Sequence, residues 1–60
     1  MKLPQDPVML LSYINTQLRD FYPSLYELCK SLDTDKEQLI NKLFSAGYKY
    51  DKVLNKFISA

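Results

Sequence analysis

Residues 24–48 read SLYELCKSLDTDKEQLINKLFSAGY, and the spacing of helix-start signals within this stretch decides the fold. Ser24 is followed three positions later by Glu27, and Thr34 stands in the same relation to Glu37. This pattern is a capping box, in which the hydroxyl oxygen and the glutamate each satisfy a backbone N–H that a helix start leaves free. We therefore predict two helices, with Ser24 and Thr34 as their N-caps.

The two predicted N-caps are ten residues apart, so only two or three residues join the first of these helices to the second. Apolar residues at helical spacing set the bounds at about 25–32 and 35–46, and Gly47 is the expected left-handed residue after the second helix. So short a connection forces a sharp angle, which is typical of a helix-turn-helix. The predicted buried positions are Leu25, Leu28, Cys29 and Leu32, then Leu39, Ile40, Leu43, Phe44 and Ala46.

A further helix is predicted before this pair. Asp6 is a good N-cap, and Pro7 suits the first helical position, where its missing N–H costs nothing. Pro23 ends the segment, because the residue before a proline disfavours helical geometry. We predict this helix over residues 7–21, with a core-facing stripe of Leu10, Leu11, Ile14, Leu18, Phe21 and Tyr22 and an opposite polar face of Ser12, Asn15, Thr16 and Arg19.

The last segment, YKYDKVLNKFISA at residues 48–60, permits two structures. As a β-hairpin it has strands at 48–50 and 55–58, a loop at 51–54, and the cross-strand pairs Tyr50/Asn55 and Tyr48/Phe57. As a short helix it has Asp51 as N-cap and an apolar stripe of Val53, Leu54, Phe57 and Ile58. We favour the hairpin, which puts three aromatic side chains on one face, although exposing Val53 and Leu54 at its tip is unfavourable.

Length and composition indicate one small folded domain, which the three predicted helices make mainly α-helical, and they offer little for catalysis. The chain has 60 residues, 47% of them hydrophobic, with no histidine, one cysteine and one glycine. Histidine is the usual acid–base group near neutral pH, and a phosphate-binding loop needs several glycines. A lone cysteine cannot form an internal disulfide and, without histidine, hardly a zinc site. We predict that the protein is not an enzyme and holds no cofactor and no metal.

The sequence also predicts a cytoplasmic protein that contacts no membrane. No run approaches the ~20 apolar residues that span a bilayer. The start, MKLPQDPVMLLSY, lacks the uninterrupted apolar core of a signal peptide. A single Cys29 on an apolar stripe fits a reducing compartment.

The charge distribution favours one candidate surface, a DNA-binding one. Residues 1–35 hold three basic and five acidic side chains, a net charge of −2, whereas residues 36–60 hold five basic and two acidic, a net charge of +3. In a helix-turn-helix the second helix reads base edges. The candidate DNA-binding residues are therefore Gln38, Asn41, Lys42, Lys49, Lys52 and Lys56. A net charge of zero over residues 35–46 weakens this hypothesis, because phosphate neutralisation dominates DNA affinity.

A second candidate surface is apolar and favours a protein partner. Chains this short bury only about 60% of the surface that their unfolded form exposes, so added burial is useful. Exposed aromatic and methionine side chains are typical of an interface. The candidate interface residues are Met9, Tyr13, Tyr26, Val53 and Leu54. The leading hypothesis is a non-catalytic interaction module that forms a homo-oligomer or binds a protein partner, and the alternative is a DNA-binding helix-turn-helix regulator.

Three strings resemble an uncharacterised bacterial family, the domain of unknown function number 4250: LPQDPVMLLSYINTQLRDFY, LYELCKSLDTDKEQLINKL and AGYKYDKVLNKF. The resemblance covers Leu3 to Phe57, and its most specific parts are Leu3-Pro4, Asp6-Pro7, Leu18-Arg19-Asp20 and Gly47-Tyr48-x-Tyr50-Asp51-x-x-x-Asn55-x-Phe57. It implies a small bacterial protein that stands alone, and it implies no activity, cofactor or partner.

Two more distant likenesses concern the fold. The stretch at residues 24–48 is similar to winged-helix regulators, but it departs from them at Asp33, where glycine is frequent, and at Thr34, where an aliphatic residue is frequent. The string LFSAGY followed by a final helix is similar to three-helix ubiquitin-associated domains.

Overall fold

The computed structural model describes Leu3–Ala60, and this part of the chain forms three α-helices followed by an antiparallel β-hairpin. The elements are α1 (Pro7–Asp20), α2 (Leu25–Leu32), α3 (Lys36–Ser45), β1 (Tyr48–Asp51) and β2 (Lys56–Ser59). The predicted three-helix domain with a terminal hairpin is confirmed, and the helical alternative for the tail is wrong. The predicted helices differ from the observed ones only by the capping residues Phe21, Asp35 and Ala46.

Short polar side chains begin the first two helices as predicted. The Asp6 Oδ1 accepts hydrogen bonds from the N–H groups of Val8 and Met9, at 2.8 and 3.3 Å. The Ser24 Oγ accepts one from the N–H of Glu27 at 3.2 Å. These bonds satisfy N–H groups that have no partner within the helix.

The third helix begins one residue later than predicted, so the N-cap assignment of Thr34 is wrong. The N-cap is Asp35, whose Oδ1 accepts hydrogen bonds from two N–H groups of the first turn. Thr34 belongs instead to the end of α2, because its N–H donates to the carbonyl oxygen of Cys29. Asp33 has a φ of 53° and turns the chain between the two helices. Gly47, with a φ of 96°, follows α3 in the left-handed conformation that was predicted.

Within Leu3–Ala60, the core consists of nine side chains that are each at most 5% exposed: Leu10, Ile14, Leu18, Leu25, Leu28, Cys29, Leu39, Leu43 and Phe57. Two predicted core residues, Phe21 and Phe44, are instead 68% and 62% exposed. Phe21 is the C-cap of α1, and its backbone, with a φ of −128°, is no longer helical. The apolar stripe of α1 therefore does not extend to it. Phe44 lies about 100° around α3 from the buried Leu43 and faces away from the core. Ala46, the C-cap of α3, is exposed as well.

The hairpin packs with β2 beside α1 and β1 beside α3. Its register pairs Tyr50 with Phe57 and Tyr48 with Ser59, so the predicted pairs Tyr50/Asn55 and Tyr48/Phe57 are wrong by two residues. A two-residue slip leaves each side chain on its face of the sheet. The three aromatic side chains therefore still share the face toward the core, and the rings of Tyr50 and Phe57 are 5.5 Å apart.

Two side chains account for this register. The Asp51 Oδ1 accepts hydrogen bonds from the N–H groups of Val53 and Leu54 at 2.8 and 3.0 Å, which makes Asp51 the end of β1 rather than part of the loop. Asn55 has a φ of 54°, a left-handed conformation that asparagine tolerates, and so it closes the loop before β2. The loop therefore covers residues 52–55.

None of the helices within Leu3–Ala60 combines the length and the apolar character needed to cross a membrane.

Candidate interaction surfaces

A chain of hydrogen bonds attaches the hairpin to two helix ends. The Tyr50 hydroxyl accepts a hydrogen bond from the N–H of Leu25 at 3.3 Å and donates one to the Asn55 Oδ1 at 2.7 Å. The Asn55 Nδ2 donates to the carbonyl oxygens of Leu18 and Tyr22, at 3.2 and 3.0 Å. Helix ends leave such main-chain groups without intrahelical partners. Tyr50 and Asn55 therefore cap the start of α2 and the end of α1.

Asn15 of α1 bonds the outer edge of β2 at Phe57. Its Nδ2 donates to the carbonyl oxygen of Phe57 at 3.1 Å, and its Oδ1 accepts from the N–H of Phe57 at 2.7 Å. The side-chain amide thus bonds both main-chain groups that a neighbouring strand would otherwise bind. The assignment of Asn15 to the exposed polar face is wrong, because the hairpin covers this side of α1.

The bonds to Asn15 also determine which residues of the hairpin bond to each other. Because both main-chain groups of Phe57 bind Asn15, the pair Tyr50/Phe57 is a non-hydrogen-bonded one. The ladder bonds therefore fall on the neighbouring pairs, Asp51/Lys56 and Lys49/Ile58. A bond from the N–H of Ala60 to the carbonyl oxygen of Gly47, at 2.8 Å, continues the same alternation.

The outer edge of β1 is consequently open. The main-chain N–H and C=O groups of Tyr48 and Tyr50 point away from β2, and within Leu3–Ala60 they have no hydrogen-bond partner. Main-chain groups without a protein partner are solvated, since burying them unpaired is costly. The outer edge of β2 is thus bonded by a side chain at Phe57, whereas among the described residues no side chain bonds the outer edge of β1, which is exposed to solvent.

The six candidate DNA-binding residues lie on α3 and on the hairpin. Gln38 and Lys42 line a cleft with residues 3–5 and the turn between α2 and α3, and Asn41 is exposed. Lys49 and Lys56 lie on the outer face of the hairpin together with Asp51, and Lys52 is in the loop. Lys56 stands directly opposite Asp51, so the positive charge of this face is partly offset.

The candidate interface residues of the helices differ in exposure. Met9 is 62% exposed on α1, whereas Tyr13 is half-buried and packs against the core. Tyr26 of α2 is 60% exposed, and the ammonium group of Lys30 lies 6.0 Å from the centre of its ring. Met9 and Tyr26 are thus available to a partner, while most of Tyr13 serves the fold.

The candidate interface residues of the hairpin are both exposed in its loop. Val53 is 86% exposed, and Leu54 is 57% exposed and lines a groove with Val8 and Leu11 of α1. Sequence reasoning missed the exposed Phe44, because its place in the apolar repeat of α3 suggested burial. The helical repeat alone carries no signal that separates Phe44 from the core.

Local contacts and burial shift the pKa of two acidic groups among the described residues. The guanidinium of the exposed Arg19 bonds both carboxylate oxygens of Asp20, at 2.9 and 3.0 Å, and this lowers the pKa of Asp20. Burial raises the pKa of the Cys29 thiol, which keeps it protonated and a poor nucleophile. Within Leu3–Ala60 no three histidine, cysteine, aspartate or glutamate side chains are placed to share a metal ion.

A family model described as "Domain of unknown function (DUF4250)" matches residues 4–57 of the chain. The chain belongs to this family. No curated protein and no solved structure matches it. The DUF4250 match includes Asn15 and Phe57, which close the edge of β2, and the whole of β1, whose edge is open. The match thus covers β1 and the first two residues of β2.

Proposed function

We propose that this DUF4250 domain is a non-catalytic interaction module that binds protein, in the first place a second copy of itself. The proposal is carried by the exposed apolar surface of the described residues. Seven large apolar side chains are at least 57% exposed: Val8, Met9, Phe21, Tyr26, Phe44, Val53 and Leu54. Single exposed apolar side chains are ordinary, but seven beside a core of nine leave much apolar surface in water.

The size of the domain makes covering this surface favourable. Burial of apolar surface contributes about 25 cal/mol per Å², and so short a chain has little core of its own. The formal net charge of +1 gives two copies little reason to repel each other. A partner that covers part of this surface therefore adds stability at little electrostatic cost.

DNA binding through α3 is the second candidate function. The exposed Gln38 and Asn41 favour it, because side-chain amides can bond the edge of adenine. Phosphate contacts supply most of the affinity of such complexes, however, and residues 35–46 carry no net charge. Self-association therefore has more support than DNA binding.

Sedimentation equilibrium from micromolar to millimolar protein tests the first proposal. We expect the average mass to rise from that of the monomer toward that of the dimer. Added salt should change this little, because apolar burial is insensitive to ionic screening. A chain that remains monomeric at millimolar concentration at every salt concentration would contradict self-association.

An NMR titration with mixed-sequence duplex DNA at low salt separates the two candidates. We expect no change in the amide signals of Gln38, Asn41, Lys42 and the lysines of the hairpin. Shifts confined to these residues and reversed by salt would establish DNA binding instead, since phosphate contacts are lost as salt rises.

A further inference from the structure

We propose that two copies join along the open edge of β1, so that their hairpins form one four-stranded antiparallel sheet. This inference rests on the proposed self-association and names its surface. The main-chain groups of Tyr48 and Tyr50, which have no partner within Leu3–Ala60, are the groups that an added strand binds.

Three symmetric registers bring outward groups of the two copies together, with the twofold axis at Tyr48, Lys49 or Tyr50. The axis at Tyr48 places Gly47 opposite Lys49 and so joins no opposite charges. With the twofold axis at Lys49, Tyr48 pairs with Tyr50 of the second copy, but Lys49 then faces its own counterpart. Like charges directly opposite each other destabilise a sheet. With the axis at Tyr50, the two Tyr50 residues form the central hydrogen-bonded pair and Lys49 faces Asp51 of the second copy. Twofold symmetry makes this favourable contact twice, so the charges select the register centred on Tyr50.

The residues that flank β1 support the same pairing. Phe44 precedes β1 and is 62% exposed, whereas Val53 follows it and is 86% exposed. When strands run antiparallel, the segment before one strand lies beside the segment after the other. Joining the β1 edges therefore brings Phe44 toward Val53 of the second copy at both ends of the shared strands. We expect these two exposed apolar side chains to lose part of their water contact in the dimer.

A lysine on a short edge strand ordinarily prevents pairing with other chains. β1 has four residues, and its lysine stands two positions before an aspartate of the same face. Lys49 thus disfavours pairing of β1 with an arbitrary strand. The register that places Lys49 opposite Asp51 of a second copy avoids this cost, because the two charges are opposite. The edge accepts its own copy in preference to an arbitrary strand.

Charge exchange tests the pairing by sedimentation equilibrium. In Lys49→Glu, two glutamates would face Asp51 of the other copy, and in Asp51→Lys, two lysines would face Lys49. We expect the dimer dissociation constant of each variant to rise about tenfold, because two favourable pairs become two repulsive ones. An equimolar mixture of the two variants should restore the wild-type dissociation constant, since every facing pair in the mixed dimer is again of opposite charge.

Lys52→Glu is the matched control, because it makes the same charge change in the loop, where the register places no charge opposite. We expect it to dimerise like the wild type. Amide spectra establish that each variant is folded. If Asp51→Lys is unfolded through loss of its bonds to Val53 and Leu54, the comparison of Lys49→Glu with Lys52→Glu decides alone.

The outcomes distinguish this inference from the function on which it rests. A wild-type chain that stays monomeric overturns both. A wild-type dimer that Lys49→Glu weakens no more than Lys52→Glu overturns the edge pairing and leaves self-association standing. Two folded variants that are each monomeric but do not associate when mixed overturn the register centred on Tyr50.

Discussion

The two outer edges of the hairpin differ in the hydrogen bonds of their main-chain groups. On β2, Asn15 bonds both main-chain groups of Phe57, whereas on β1 the main-chain groups of Tyr48 and Tyr50 have no partner within Leu3–Ala60. Proteins commonly block the edges of sheets against pairing with other chains. A dedicated side chain bonds the edge of β2 at Phe57, and none bonds the edge of β1 within Leu3–Ala60, so we infer that a partner strand binds β1.

The residues that carry the family resemblance have structural roles in the hairpin. Gly47 has a φ of 96° and links α3 to β1, Tyr50 and Asn55 cap helix ends, and Phe57 is 3% exposed in the core. All four hold the hairpin against the helices. The motif thus has a structural role, and the binding surface that we propose lies in main-chain groups that no sequence motif displays.

The largest expected loss of stability comes from substitutions in the core beneath the hairpin. Leu43 is fully buried, so Leu43→Ala should lower the free energy of unfolding by about 2–5 kcal/mol, and Leu28→Ala should do the same. The adjacent Phe44→Ala is the matched control and should cost far less, because Phe44 is 62% exposed. Urea denaturation followed by circular dichroism measures all three. A wild-type midpoint for Leu43→Ala would mean that the core is wrongly assigned.

The next largest loss of stability is expected when Asn55, which joins the hairpin to the end of α1, is replaced. Asn55→Ala removes its hydrogen bonds to Tyr50, Leu18 and Tyr22 and strains a φ of 54°, so we expect a loss of about 2–4 kcal/mol. Asn55→Gly removes the same bonds but tolerates this φ, and should retain about 1 kcal/mol more. Equal denaturation midpoints for the two variants would show that the backbone conformation contributes nothing.

A smaller effect is expected when the closed edge is opened. Asn15→Leu leaves the N–H and C=O of Phe57 without their partner, which should cost about 1–3 kcal/mol in urea denaturation. With both edges open, we also expect assemblies larger than dimers in sedimentation velocity. Thr16→Leu, at the exposed neighbouring position, should show neither change. Wild-type stability in Asn15→Leu would contradict the role of Asn15 as the closure of β2.

The smallest effect concerns Cys29 and its pH dependence. Burial raises the pKa of this thiol in the folded state, so its stabilising contribution is complete below the ordinary thiol pKa and falls as pH rises above it. We expect iodoacetamide to alkylate the native protein slowly and the urea-unfolded protein quickly. Cys29→Ser serves as the control for labelling elsewhere. Rapid labelling of the native protein would place Cys29 outside the core.

Sequence reasoning succeeded where the physical cause is local. Asp6-Pro7, Ser24 and Gly47 act within a few residues of themselves, and the helix positions follow from them. The role of Asn15 could not be predicted, because its partner Phe57 is 42 residues away and Ser12 or Thr16 look equally suitable in sequence. The hairpin register failed for a similar reason, since it depends on how Asn55 meets the ends of two helices.

The open edge itself has no sequence signal. Whether the main chain of Tyr50 faces β2 or solvent depends on the alternation of ladder bonds, and that alternation follows from the contact between Asn15 and Phe57. A tertiary contact on one strand thus determines which main-chain groups of the other strand are exposed.

The most direct test of this account is amide hydrogen exchange, resolved by residue and measured at micromolar and millimolar protein. We predict that the N–H groups of Phe57 and Lys49 are protected at both concentrations, because Asn15 and β2 bind them within one chain. The N–H of Tyr50 should exchange freely in the dilute protein and become protected in the concentrated one. A Tyr50 amide that is protected in the dilute monomer, or that stays unprotected when the dimer forms, would contradict the account.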